Sequence, residues 1–157
     1  MEYTIRPMRI RDALSLAGWR YGGIYATYNV SPLDSLGICG TQMLFQLLGT
    51  SLYYSVFNPG GELVGMFSFY RRHEKTIEVG LGMRPDKTGH GAGLEFMQAG
   101  LAYARQRFKP AYFQLDVADF NQRARLVYER AGFTPTGTVR RQVSGRSQEF
   151  ITMSRPA

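Results

Sequence analysis

Apolar residues recur along this chain in two different periods, and the points where the period changes divide it into elements. Glu2 to Arg6 alternates polar and apolar, which predicts a first strand closed by Pro7. Asp12 stands where an N-cap is wanted ahead of Ala13 to Trp19, and Leu14, Leu16 and Ala17 give that short helix a face to bury. Pro32 to Gly49 reads as a second helical connection with Met43, Leu44, Leu47 and Leu48 on its apolar side. Ser51 to Phe57 and Leu63 to Tyr70 flank Asn58-Pro59-Gly60-Gly61, a run of turn formers, and so predict a hairpin. A further turn at Arg71 to Lys75, which carries His73, leads into the β-favouring run Thr76 to Met83, giving three antiparallel strands.

The period then lengthens. Leu94, Met97, Leu101, Ala104 and Phe108 fall at alternating steps of three and four, one stripe of a helix. Glu95 in its first turn and Arg105 and Arg107 in its last suit the helix dipole, and the small Ala99, Gly100 and Ala102 suit close approach to a sheet. Lys109-Pro110 breaks the pattern, and Tyr112 to Val117 returns to strand with Phe113, Leu115 and Val117 on one side. Asn121 is a good N-cap for the next helix, Gly132 can take the left-handed C-cap conformation, and Phe133 follows as the apolar residue such an ending prefers. Between them Asn121, Ala124 and Tyr128 share one face. Thr138 to Val143, a turn at Ser144-Gly145 and Gln148 to Ser154 predict a closing hairpin.

Composition bounds what these elements can build. With 157 residues, 44% of them apolar, and ten Tyr and ten Phe, the chain has the material for one ordered core, so a single domain over 1–157 is expected. Cys39 is the one cysteine and His73 and His90 the two histidines, too few ligands for a multi-cysteine zinc site, and no metal is expected. Cys39, between Ile38 and Gly40, reads as an inert filler. The absence of a long apolar run and of a cationic-then-apolar leader gives the expectation of a soluble, cytoplasmic protein without a membrane partner. The net charge of +7 favours anionic ligands, although the densest basic groups are only Arg6/Arg9/Arg11 and Arg140/Arg141 with Arg146. A solvated arginine-rich surface is the plainer reading, with nucleic acid a minor alternative. The aromatic segment Trp19 to Tyr28 sets Trp19, Tyr21, Tyr25 and Tyr28 beside Gly22-Gly23, either as packing or as one wall of a substrate cleft.

Chemical information concentrates between strand and helix, where Gly89, Gly91 and Gly93 occur at every second position. Amides freed of side chains there can face a phosphate, and the helix N-terminus behind them adds partial positive charge. By themselves the glycines fit an ordinary tight βα turn equally well. A Walker loop is excluded, because Asp86 stands where its glycine should precede Lys87-Thr88. The dinucleotide fingerprint fails as well, because its third glycine would fall on Leu94. Neither ATP nor NAD is favoured.

The order of elements, this loop and the later N-x-x-A-x-x-x-Y-x-x-x-G-F run resemble the GCN5-related N-acetyltransferases, the GNAT family. The likeness covers nearly the whole chain and is most specific from Thr76 to Phe133. Thr88-Gly89-His90-Gly91-Ala92-Gly93 corresponds to the family loop Gln/Arg-x-x-Gly-x-Gly/Ala, with Thr88 in place of the usual Gln or Arg. Asn121 to Phe133 matches the second motif throughout, and Trp19 to Asn29 is similar to a segment of some bacterial members. The resemblance implies an α/β (α+β) GNAT fold: a central, mixed, mostly antiparallel sheet of six to seven strands flanked by helices and splayed between the strand before the loop and the next strand. It implies acetyl-CoA as cosubstrate, with its pyrophosphate on the amides of Gly89 to Gly93 and its pantetheine arm along Leu81, Gly82 and Met83. Thr88, His90 and Ala92 complete the loop, Asn121 would contact the arm, and Tyr128 would sit near the sulfur. A homodimer is compatible with it.

The chemistry has its own demands. An alkyl amine with a solution pKa of ~10.4 must lose a proton before or during attack on a thioester. Glu78, on the strand before the loop, is the candidate base, directly or through water; the alternative is an exposed strand glutamate or a salt bridge. The Met83 amide is the suggested oxyanion donor, and Tyr128, a phenol of pKa ~10, the suggested acid for the departing thiolate, the alternative for Tyr128 being a packing residue. This predicts direct transfer to a primary amine in a ternary complex. Two other classes remain open at this point, a non-catalytic acyl-CoA sensor and a nucleic-acid or ribosome-associated protein.

Overall fold

A computed structural model describes residues 2–29, 52–143 and 145–157. The predicted helix Pro32 to Gly49, with Cys39, lies outside the described residues. The chain divides into two compact units: Met1–Ser68 with Leu81–Lys87, and Phe69–Gly80 with Thr88–Ala157.

In the first unit, β1 (Thr4–Pro7) pairs antiparallel with β2 (Tyr53–Phe57), Ile5 opposite Val56. β2 in turn pairs with the first half of β3 (Leu63–His73), Tyr54 opposite Phe67. Tyr54, Val56, Val64 and Phe67 are buried from these strands. The β2–β3 turn depends on Asn58: its backbone N–H donates to Glu62 O at 3.0 Å, and its Oδ1 accepts from Glu62 N at 2.9 Å. Helix α1 runs Ile10–Ala17, earlier than the pattern predicts, because Asp12 is not its N-cap. Arg9 holds that position, and the Asp12 carboxylate, one turn in, accepts the Arg9 backbone N–H at 3.1 Å. Asp12 and Ala13 are buried on α1, whereas Leu14 faces solvent, contrary to the expectation. A short 3-10 segment, Gly23–Tyr28, follows.

In the second unit, β3 continues to His73 and turns through Glu74-Lys75 into β4 (Thr76–Met83). His73 therefore ends a strand rather than sitting in a five-residue turn. Helix α2 (Gly93–Phe108) buries Phe96, Met97, Gly100, Leu101 and Ala104, so the predicted stripe holds at Met97, Leu101 and Ala104 while Leu94 and Phe108 at its ends are only half-buried. Phe69 stacks on Tyr103 with ring centres 6.2 Å apart, and Arg105 lies over Phe113 of β5 (Tyr112–Ala118). Phe113, Leu115 and Val117 are buried, the face that the alternation predicts. After β5 come α3 (Gln122–Arg130) and the long antiparallel pair β6 (Thr134–Val143) and β7 (Arg146–Pro156), with a register shift at Pro135/Gly137. Both strands outrun the predicted hairpin because exposed, threonine-rich and arginine-rich strand positions carry little apolar signal.

Among the described residues seven strands form one sheet in the order β1-β2-β3-β4-β5-β7-β6. β4 and β5 are parallel, while β5 with β7 and β6 with β7 are antiparallel. The parallel ladder pairs only Thr76, Ile77 and Glu78 with Tyr112, Phe113 and Gln114, although both strands continue beyond it.

Candidate active site

The loop between β4 and α2 is built from three glycines with different requirements. Gly89 and Gly91 have φ of 76° and 83°, a left-handed conformation that L side chains disfavour. A β-carbon on Gly91 would meet nothing within 4 Å, so that glycine is required by conformation rather than by space. Beside Gly89, the place of the missing β-carbon lies 3.5 Å from Nη1 of Arg123. Gly93 is different again: a β-carbon there would stand 2.9 Å from Cγ2 of Val127, so its smallness lets the N-terminus of α2 approach α3. Ala92 occupies the N-cap of α2, and its methyl cannot accept a hydrogen bond from the first-turn amides. Thr88 is half-buried and His90 exposed. The loop thus presents backbone donors at the positive end of a 16-residue helix. These features fit a phosphate.

The second motif folds as its residues require. Asn121 caps α3, its Oδ1 accepting Ala124 N–H at 3.1 Å. At the other end Gly132 has φ of 91°, and Phe133 N–H reaches back to Tyr128 O at 3.0 Å, which closes the helix. That closure brings the Phe133 ring edge-on to Tyr128 at 6.3 Å, and Tyr128 is buried with 8% of its surface exposed. A phenol so packed has little freedom to swing.

On β4, the Glu78 carboxylate is ion-paired with Arg72 across the β3–β4 hairpin, so the salt bridge weighed from the sequence is present. Leu81, Gly82 and Met83 are half-buried. The Tyr21 hydroxyl donates to the Met83 carbonyl at 2.6 Å, and both Tyr21 and Met66 lie beside Gly82, at ordinary contact distance from where a β-carbon would stand. Burial raises the Tyr21 phenol above its ordinary pKa, which keeps the donating proton in place. Tyr21 is itself held by Asn29, whose Oδ1 accepts its N–H and whose amide donates to its carbonyl, and Tyr28 meets its ring edge-on at 6.3 Å. Trp19 and Tyr25 are half-buried and Tyr28 exposed. Of the four aromatics, Tyr21 thus reaches the end of β4, a contact 62 residues apart in sequence that no local pattern could reveal.

The family model described as "Acetyltransferase (GNAT) family" matches residues 23–133, which includes the loop, α2, β5 and α3. The chain belongs to the GNAT acetyltransferase family. The fold is shared with solved GNAT-like structures at low identity. A spermidine N-acetyltransferase from Vibrio cholerae, in complex with CoA and spermine, is 18% identical, covers 98% of this chain and 95% of its own, and superposes with a TM-score of 0.78. A GNAT-family acetyltransferase from Bacillus anthracis is 18% identical over 99% of this chain and 95% of its own, with a TM-score of 0.77. No curated protein matches this GNAT chain. Among the described residues no group of three or more His, Cys, Asp and Glu could hold a metal ion. No described helix is long and apolar enough to cross a membrane.

Arg123 is the residue that sequence reasoning passed over. It falls in one of the unspecified positions of the Asn121 to Phe133 motif, and only the folded loop reveals its guanidinium over Gly89.

Proposed function

We propose that this GNAT protein is an acetyl-CoA-dependent N-acetyltransferase acting on a primary amine by direct attack in a ternary complex, with the whole chain serving as one acetyltransferase domain. The observation that carries this reading is the uncapped α2 N-terminus behind two left-handed glycines, in a chain whose family match includes it. Residues 88–93 are read as the cradle for the CoA pyrophosphate, Leu81, Gly82 and Met83 as the backbone along which the pantetheine arm pairs, and Asn121 as a further contact to that arm. The amine nitrogen attacks the thioester carbon, its proton leaves to Glu78 or a water beside it, and the Met83 N–H stabilises the oxyanion. The C–S bond then breaks and the thiolate takes the Tyr128 proton. Because Glu78 is engaged by Arg72, a role as base requires that carboxylate to serve the amine or a bridging water while it keeps the guanidinium.

Trp19, Tyr21, Tyr25 and Tyr28 are read as the acceptor side, with Tyr21 acting through the Met83 carbonyl. The Vibrio cholerae relative, solved with CoA and spermine, brings polyamines into the range of acceptors to test. The test is a panel of polyamines, amino sugars, amino acids and peptide N-termini, with CoA release and acetyl-product formation measured together. Turnover on one class with acetylated product is expected. CoA binding without turnover on any amine would favour an acyl-CoA sensor, and failure to bind CoA would remove the reading.

A further inference from the structure

We propose that Arg123 supplies, from helix α3, the long phosphate-binding side chain that the glycine loop lacks at Thr88. The inference rests on the acetyl-CoA reading above. In the family loop the first position is Gln or Arg, whereas Thr88 is short. One residue further on, Nη1 of Arg123 lies 3.5 Å from where a β-carbon on Gly89 would stand, which is contact distance.

The placement follows from how two helix starts are fitted together. Gly89 and Gly93 are four residues apart, as are Arg123 and Val127, and the two pairs meet in order: Gly89 against Arg123 and Gly93 against Val127. Residues four apart share one face of a helix, so the tight Gly93–Val127 approach sets which face of α3 looks at the loop. Asn121 fixes where that helix begins, through its bond to Ala124 N–H. Arg123, exposed and in the first turn of α3, is thereby carried over the loop rather than away from it.

Charge makes the position unusual. A cation is disfavoured in the first turn of a helix, and α3 has no acidic residue in its own first turn. Arg123 also stands beside the N-terminal end of α2, a second source of positive potential. Glu95 in the first turn of α2 offsets part of that potential, and a bound anion would balance the rest. A guanidinium carries five N–H donors in a planar fork that matches phosphate oxygens, so it can serve a phosphate while keeping other contacts. Arg125, two residues on, turns instead to Glu129 of its own helix at 3.0 Å.

The test measures binding of CoA, dephospho-CoA and pantetheine to the wild-type chain and to Arg123→Gln, Arg123→Lys, Thr88→Arg and the Thr88→Arg/Arg123→Gln pair. Losing a charge-assisted bond to phosphate should weaken CoA about tenfold or more in Arg123→Gln, with a smaller loss in Arg123→Lys. Dephospho-CoA should show the same loss, pantetheine none, and Thr88→Arg should restore most of the affinity in the double variant. Thermal melting of each variant separates binding from folding. Equal CoA affinity in wild type and Arg123→Gln would overturn the inference while leaving the acetyl-CoA reading intact. A loss confined to CoA and absent for dephospho-CoA would also overturn it, since Arg123 would then serve the 3′-phosphate. Failure of the wild-type chain to bind CoA would remove both.

Discussion

Gly89, Gly91 and Gly93 stand at every second position, yet a side chain would fail there for two different reasons: backbone conformation at the first two and a collision at the third. The difference is measurable. In Gly93→Ala the new methyl would lie 2.9 Å from Val127 Cγ2, and a valine in a helix has one strongly preferred rotamer, so the contact cannot be relieved by a simple turn of the side chain. Overpacking costs about 1–3 kcal/mol, more than the helix propensity gained at an end position, so the melting temperature should fall by several degrees. Val127→Ala in the same chain should recover most of that loss. If Gly93→Ala melts like the wild type, α3 is free to move away. Tyr128 offers a chemical counterpart. Its ring is fixed by Phe133 whether or not the hydroxyl acts, so Tyr128→Phe should fold normally and keep its acetyl-CoA affinity. In the proposed role its kcat should drop on the order of 10²-fold, and an unchanged single-turnover rate would leave Tyr128 a packing residue.

At the scale of elements, the segments that sequence reading located best were those whose apolar period and end signals agree. Helix α3 is an example, with Asn121 and Gly132 at its ends as expected. Where the signals conflict, boundaries moved. β3 runs on through the exposed Arg71, Arg72 and His73 because the hairpin ladder, not burial, holds them, and that extension gives Arg72 its partner in Glu78. The candidate loop was legible because its glycines are spaced regularly, whereas the Arg123–Gly89 approach and the Tyr21–Met83 hydrogen bond, one in each unit, join residues distant in sequence. Helix α1 moved for a different reason: Asp12 looks like a cap but is a buried anchor, accepting from Arg9 N–H, from Ser55 Oγ at 2.9 Å and from Arg6 Nη1 at 2.9 Å. Burial alone would push its carboxyl up, but the Arg9 N–H, the Ser55 hydroxyl and the Arg6 guanidinium outweigh that, and its pKa lies below the ordinary value. A carboxyl depressed in the folded state contributes fully above its unfolded value of ~3.9, and the contribution is lost as pH falls through the folded value. Asp12→Asn should therefore cost about 1–3 kcal/mol at pH 7, with the gap from wild type closing under acid. Urea unfolding at pH 7 and at successive steps below pH 4 measures it, and a gap that stays constant would show that Asp12 contributes by shape alone.

For the whole molecule, charge is the property that separates the remaining readings. The chain carries +7, spread over surface arginines rather than gathered in a run, and several of these are already neutralised, as in Arg84 with Asp86, Arg140 with Glu149 and Arg141 with Asp116. Such a field can draw in a small polyanion without building the continuous basic track that a nucleic acid needs. It acts at long range, so for the proposed cofactor it would govern approach rather than the bound contacts. Raising salt from about 0.01 M to about 0.5 M shortens the screening length from ~30 Å to only a few ångströms. Over that range the association rate of acetyl-CoA should fall severalfold, while its dissociation rate changes less and an acetylated pantetheine without phosphates associates at a nearly constant rate. Stopped-flow mixing across the series reads all three. If association proves indifferent to salt, the net charge has no part in cofactor capture. If RNA or duplex DNA binds tightly at 0.15 M, with a steep salt slope and in competition with acetyl-CoA, the arginine surface is a nucleic-acid track after all, and the acetyltransferase reading must share it.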